Sequence, residues 1–146
     1  MKVFIGSSSS VKSLDDLRKV AMWIEEEGHD PFPWTKTGLF PLGNYTAESL
    51  RDICKQVDAA ILIFSEDDEV WYRNDYALKP RDNVVYEYGL FEGHLGCKRT
   101  IIVKRGNSKL PSDLVGITRC NLDKEYKAQN EIVEWLRFIN SNVICK

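Results

Sequence analysis

The stretch DAAILIFSEDD, Asp58 to Asp68, decides how this sequence folds. Its six consecutive apolar residues, Ala59 to Phe64, fit a strand buried on both faces, as the central strands of parallel sheets are. On either side, short apolar runs alternate with longer helical patterns, which is the signature of βαβ units. Val3 to Ile5 is a first strand. Apolar residues at Leu14, Leu17, Ala21 and Ile24 then recur at helical spacing, with Ser13 as the expected N-cap and Gly28 as the stop. Asp30 to Trp34 is a short second strand interrupted by Pro31 and Pro33.

Thr35 to Tyr45 carries Gly38, Pro41 and Gly43 without periodicity and reads as a long loop, ahead of a helix from about Thr46 to Val57. Ser65 to Pro80 reads as a second long loop, polar and aromatic. A third helix follows, in which Asp82 is the expected N-cap and Val84, Tyr88, Phe91 and Leu95 form one stripe. Gly89 and Gly93 weaken that helix by roughly 1 kcal/mol each, which suggests a neighbour packed closely against them. Thr100 to Val103 is the next strand. A turn or short helix at Leu110 to Leu114, an edge strand at Ile117 to Cys120 and an amphipathic helix over about 127–139 complete the pattern. The expected fold is a flavodoxin-like α/β three-layer sandwich, with five mainly parallel strands and helices on both faces, as one domain over residues 1–146.

Composition narrows the function. With 146 residues, 43% hydrophobic and 29% charged, the chain has the make-up of an ordinary globular domain. A net charge of -2 provides no basic field for nucleic acid or an anionic membrane. The apolar run at Val3 to Ile5 is too short for a signal-peptide core or a membrane span, so a cytoplasmic protein is expected. Cys54, Cys97, Cys120 and Cys145 form no CxxC pair and lie poorly for zinc with His29 and His94, so buried reduced thiols are expected and no metal.

In an open parallel sheet, ligands bind beyond the carboxyl ends of the strands. Three stretches converge there. Gly6-Ser7-Ser8-Ser9-Ser10 follows the first strand and matches neither a Walker A loop nor GxGxxG; it can hold phosphate or ribose oxygens, or simply be a serine-rich turn. Glu66, Asp67 and Asp68 end the central strand, as solvated loop acids or as ligand contacts. In RDNVVYEYGLFEGHLG, Arg81 to Gly96, Glu87 lies between Val84 and Phe91 and so borders the buried face. Trp34, and Trp71 with Tyr72, flank the same end, either packing locally or stacking on a flat ring.

KVFIGSSS at 2–9, PWT at 33–35, DAAILIFSEDD, PRDNVVYEYGLFEGHLG from Pro80 to Gly96 and LPSDLVGIT from Leu110 to Thr118 resemble the TIR-like domains of bacterial anti-phage systems. Those domains are joined to STING-type or other cyclic-nucleotide sensors in CBASS and Pycsar defence. The resemblance implies an NAD+ hydrolase that cleaves the nicotinamide–ribose bond, needs no metal or further cofactor and self-associates into oligomers or filaments. The cyclic-nucleotide sensor is a fused or separate module. It implies that Glu87 is catalytic, that Gly6, Ser7, Ser8, Ser9 and Trp34 line the nucleotide site, and that the loop 35–45 moves on assembly. Asp67, Asp68, Arg81, Asp82 and Asn83 fall in matching motifs as substrate-binding candidates. Ser10 stands where the family often has glutamate.

A carboxylate beneath the ribose suits departure of a cationic base through an oxocarbenium-like transition state. The helix macrodipole is expected to keep Glu87 ionised. Two other functions compete, a nucleoside or nucleotide N-glycosidase of deoxyribosyltransferase type and a non-catalytic TIR module that only self-associates. A receiver-like domain ranks below them, because no lysine suits the weak last strand.

Overall fold

A computed structural model describes residues 1–44, 46–114 and 116–143, with the side chains of Tyr72 and Val143 left aside. Strands β1 (Lys2–Gly6), β2 (Asp30–Pro33), β3 (Ala59–Phe64), β6 (Thr100–Lys104) and β7 (Cys120–Asn121) form one sheet, and β4 (Asp68–Tyr72) and β5 (Asp75–Lys79) form a separate hairpin. The order in the large sheet is β2-β1-β3-β6-β7, and every neighbouring pair in it is parallel. Strand order therefore reverses between β1 and β3, the switch point at which the flavodoxin-like plan opens a crevice.

The alternation of side chains along each strand divides the core. Ala59, Ile61 and Ile63 of β3, with Val3 and Ile5, pack under helices α1 (Val11–Glu26) and α4 (Glu125–Val143). Ala60, Leu62 and Phe64, with Phe4, face α2 (Thr46–Gln56) and α3 (Asp82–Leu95). Every residue of β3 is fully buried, as its unbroken apolar sequence requires. On the second face α3 packs on β3 and β6, and the Phe4 ring stacks on Phe91 of α3 at 4.3 Å between centroids, which ties the helix to β1. Among the described residues no helix is long and apolar enough to cross a membrane.

Several expectations are corrected. Helix α1 starts a turn early, because Ser10 is its N-cap and accepts a hydrogen bond from the Ser13 amide. Ser13 is instead fully buried, with its hydroxyl 2.9 Å from both Ser8 and Ser65. The N-cap of α3 is Arg81, not Asp82, and no side chain caps that helix. The segment expected as a loop from Ser65 to Pro80 holds the β4–β5 hairpin, whose two-residue turn places Arg73 and Asn74 at φ of 50° and 65°. A Cβ at Gly89 or Gly93 would meet nothing within 4 Å, so neither glycine marks close packing. The edge strand is Cys120–Asn121 alone, and α4 runs from Glu125. Cys54 and Cys120 are buried thiols, Cys97 is exposed, and Cys145, like Tyr45 at the end of the expected loop, lies outside the described residues.

Candidate active site

Helix α3 packs on β3 and β6, and from it the Glu87 side chain reaches Gly6, the last residue of β1. A Cβ at Gly6 would sit 2.6 Å from Glu87 Oε2 and 2.5 Å from Leu62 Cδ1, so only glycine admits the carboxylate there. Glu87 lines the floor of a cleft of about 270 Å³ whose walls come from four segments. The loop after β1 supplies Ser7, Ser8 and Ser9, and the end of β2 supplies Trp34. The following loop and the start of α2 supply Phe40 and Thr46, and the start of α3 supplies Arg81, Asn83 and Val84.

Burial dominates the chemistry of Glu87. Its Oε2 is enclosed and has no hydrogen-bond partner among the described residues. Loss of solvation pushes its pKa up from 4.5 to about 7. The expectation of a fully ionised glutamate is thereby corrected. Glu87 is the sixth residue of α3, and the macrodipole field falls off within the first turn, so desolvation prevails. A cation placed over the carboxyl group favours its charged form.

The serines divide between structure and lining. The Trp34 indole donates to Ser7 Oγ at 2.9 Å, which fixes the ring against the loop, and Ser7 donates to the Ser8 carbonyl. Ser8 donates to Asp67 Oδ1 at 2.7 Å, and the Arg81 amide donates to Asp67 Oδ2 at 3.3 Å. Asp67 therefore stands behind the wall and ties the β1 loop to the start of α3. Ser9 is exposed, and its hydroxyl accepts from Arg81 Nη1 at 3.1 Å.

Of the candidate substrate contacts, Ser7, Ser8, Ser9, Trp34, Arg81 and Asn83 meet at the cleft, and Gly6 lies under its floor. Asp68 and Asp82 do not. Asp68 pairs with Lys79 across the hairpin, and the exposed Asp82 forms an ion pair with the same lysine. Trp71 stands on the outer face of the hairpin, edge-on to Tyr76, and is not part of the cleft lining. Phe40 and Thr46 escaped the sequence reading, since an aperiodic loop gives no sign of which side chain turns inward.

A parallel α/β sheet of order β2-β1-β3-β6-β7, with a desolvated carboxyl group beneath the loop of its first strand, defines a flavodoxin-like domain. The family model for the TIR domain of CAP12/Pycsar effector proteins matches residues 2–124. The chain belongs to that family of TIR domains. It is 34% identical over 118 residues to CD-NTase-associated protein 12 of Lachnospiraceae bacterium (strain RUG226), covering 81% of this chain and 36% of that protein. It is 41% identical over 114 residues to the Pycsar effector protein PaPycTIR of Pseudomonas aeruginosa, covering 75% of this chain and 36% of that protein. The chain thus spans little more than a third of these relatives' length. Among solved structures, a prokaryotic SEFIR domain superposes with a TM-score of 0.61 at 17% identity, covering 92% of this chain and 96% of that one. A 2-deoxyribosyltransferase from Bacillus psychrosaccharolyticus superposes equally well, with a TM-score of 0.61 at 13% identity over 89% and 91% of the two chains. At such identities these likenesses speak for the fold alone.

Proposed function

We propose that the cleft hydrolyses the nicotinamide–ribose bond of NAD+, and that the chain is the NAD+-cleaving domain of an anti-phage effector switched on by clustering after a cyclic-nucleotide sensor responds. The observation that carries this reading is the desolvated, unpartnered carboxylate oxygen of Glu87 in a cleft walled by the β1 loop and Trp34. The only titratable side chains lining the cleft among the described residues are Glu87 and Arg81. Such a site offers one carboxylate to a developing cation, which suits a base that leaves without being protonated.

In the proposed reaction the bond from ribose C1′ to the nicotinamide nitrogen breaks and its electron pair goes to the ring, which departs neutral. Glu87 stabilises the electron-poor ribose, water adds at C1′, and a proton is released with ADP-ribose. Trp34, held by Ser7, supplies a flat apolar wall for a ring.

The test is release of nicotinamide from NAD+ by the protein and by Glu87→Gln, with nucleoside monophosphates run in parallel. Loss of at least about 10³-fold in the variant is expected. Release of a neutral base from the monophosphates, with NAD+ left intact, would assign the cleft to the N-glycosidase reading instead.

A further inference from the structure

Arg81 occupies a position that stability alone does not favour. The N-cap of a helix prefers a short acceptor side chain, and the positive end of the macrodipole repels a cation. Here the N-cap of α3 is an arginine whose side chain caps nothing. Its guanidinium forms no ion pair with a carboxylate among the described residues, and its hydrogen bond goes to the neutral hydroxyl of Ser9. The acid next to it in sequence, Asp82, is drawn off to Lys79. Asp67 meets Arg81 through the backbone amide. A half-buried cation thus lines the cleft beside Glu87 with no ion-pair partner among the described residues. A local rule broken without compensation inside the protein marks a position shaped by something that binds there.

We propose that Arg81, with Ser9, is a phosphate-reading pair that makes the cleft select nucleotides over nucleosides. This rests on the reading that a ribosyl base lies over Glu87. With the scissile bond above the carboxylate, the 5′ oxygen of the same ribose points away from the base toward the cleft mouth. The guanidinium and the exposed Ser9 hydroxyl together present donors in a fork that fits a phosphate. Because the Arg81–Ser9 bond joins the β1 loop to the start of α3, a phosphate held there also clamps the two walls on either side of Glu87. The selected substrates carry a 5′-phosphate or pyrophosphate on the ribose that bears the cationic base.

Binding of nicotinamide mononucleotide and of nicotinamide riboside, measured by calorimetry in a Glu87→Gln background to prevent turnover, tests this directly. A preference of about 30-fold for the mononucleotide is expected, the scale of one charge-assisted hydrogen-bonding site. Arg81→Gln should abolish the preference and leave riboside binding within about twofold, whereas Arg81→Lys should retain part of it. The preference should weaken as salt is raised. Equal weakening of both ligands by Arg81→Gln, or a preference that survives it, overturns the proposal. Failure of the protein with Glu87 intact to release nicotinamide from NAD+ or from either smaller compound would sink the hydrolase reading, while the binding comparison still decides the role of Arg81.

Discussion

Gly6 and Glu87 form a matched pair, since the missing side chain of one makes room for the carboxylate of the other. Gly6→Ala would drive a methyl group into Glu87 Oε2 and Leu62, with no flexible way out on the leucine side. The variant should lose about 1–3 kcal/mol of stability, as an overpacked core does, and activity by roughly 100-fold, as a catalytic group displaced by about 1 Å does. Thermal melting and nicotinamide release measure the two losses separately. Glu87 also links stability to pH. Its pKa is about 7 in the folded state against 4.5 for an ordinary glutamate, so the folded state holds a proton that the unfolded chain gives up. The stability contributed by the buried neutral acid is fully present below pH 4.5 and is lost as pH rises through about 7. Glu87→Gln keeps the shape without the charge, so it should match the parent protein below pH 4.5 and exceed it by up to about 3 kcal/mol above pH 7. Denaturant titrations across that range would show the gap opening, and a gap independent of pH would refute burial as the cause. For the same reason kcat/KM for NAD+ should rise with pH through about 7, the free-enzyme value, and level off above it.

Three elements meet at Asp67, and its side chain matters more for their arrangement than for contact with a ligand. It accepts from Ser8 in the β1 loop and from the Arg81 amide at the start of α3, while its own amide donates to the Lys79 carbonyl at the end of β5. Asp67→Ala should cost about 1–2 kcal/mol, the scale for a partly buried acceptor and its stranded donors, and should raise KM more than it lowers kcat. Asp67→Asn keeps one acceptor oxygen and should restore much of both. Equal losses in the two variants would show that charge, not the tie, is what counts. The elements themselves were legible in proportion to how far local pattern determines them. The strand Ala59–Phe64 and the stripe Val84, Tyr88 and Phe91 were plain, because burial dictates their apolar spacing. The β4–β5 hairpin was not, since DEVWY and DYALK mix charge with aromatics and their turn is Arg-Asn, without the glycine that usually marks two left-handed residues. Ser13, the expected cap for α1, is drawn into the core by hydroxyl bonds with Ser8 and Ser65, which leaves the cap to Ser10. Of the site, Glu87, Trp34 and the serine loop could be found from motif and position. Phe40, Thr46 and the exclusion of Asp82 depend on how loops fold back, which sequence spacing does not encode.

The whole molecule leaves its cleft small for the substrate proposed. At about 270 Å³ it lies just under the range of about 300–1,000 Å³ common for small-molecule sites, room for the nicotinamide–ribose half and little more. The adenylate half of the proposed substrate must then rest on surface outside this cleft, whose wall takes Phe40 from the loop between residues 35 and 44. The domain meanwhile exposes apolar side chains beyond those a solitary surface needs. Trp71, Tyr76 and Leu78 share the outer face of the hairpin at 62%, 65% and 41% exposure, and Leu42 on the loop is fully exposed. Packing such faces between copies would both cover them and hold the loop, which gives the proposed activation by clustering a physical route. The rate of nicotinamide release per protein molecule should therefore climb with protein concentration and climb again when copies are fused to an obligate oligomer. Trp71→Glu, placed on an exposed strand position outside the cleft lining, should leave melting within about 0.5 kcal/mol of the parent, lower self-association in sedimentation, and remove the concentration dependence. Enforced oligomerisation should then restore the variant's rate. A rate per molecule that ignores both concentration and fusion would mean that the isolated cleft is already complete, and that the adenylate half needs no second copy to hold it.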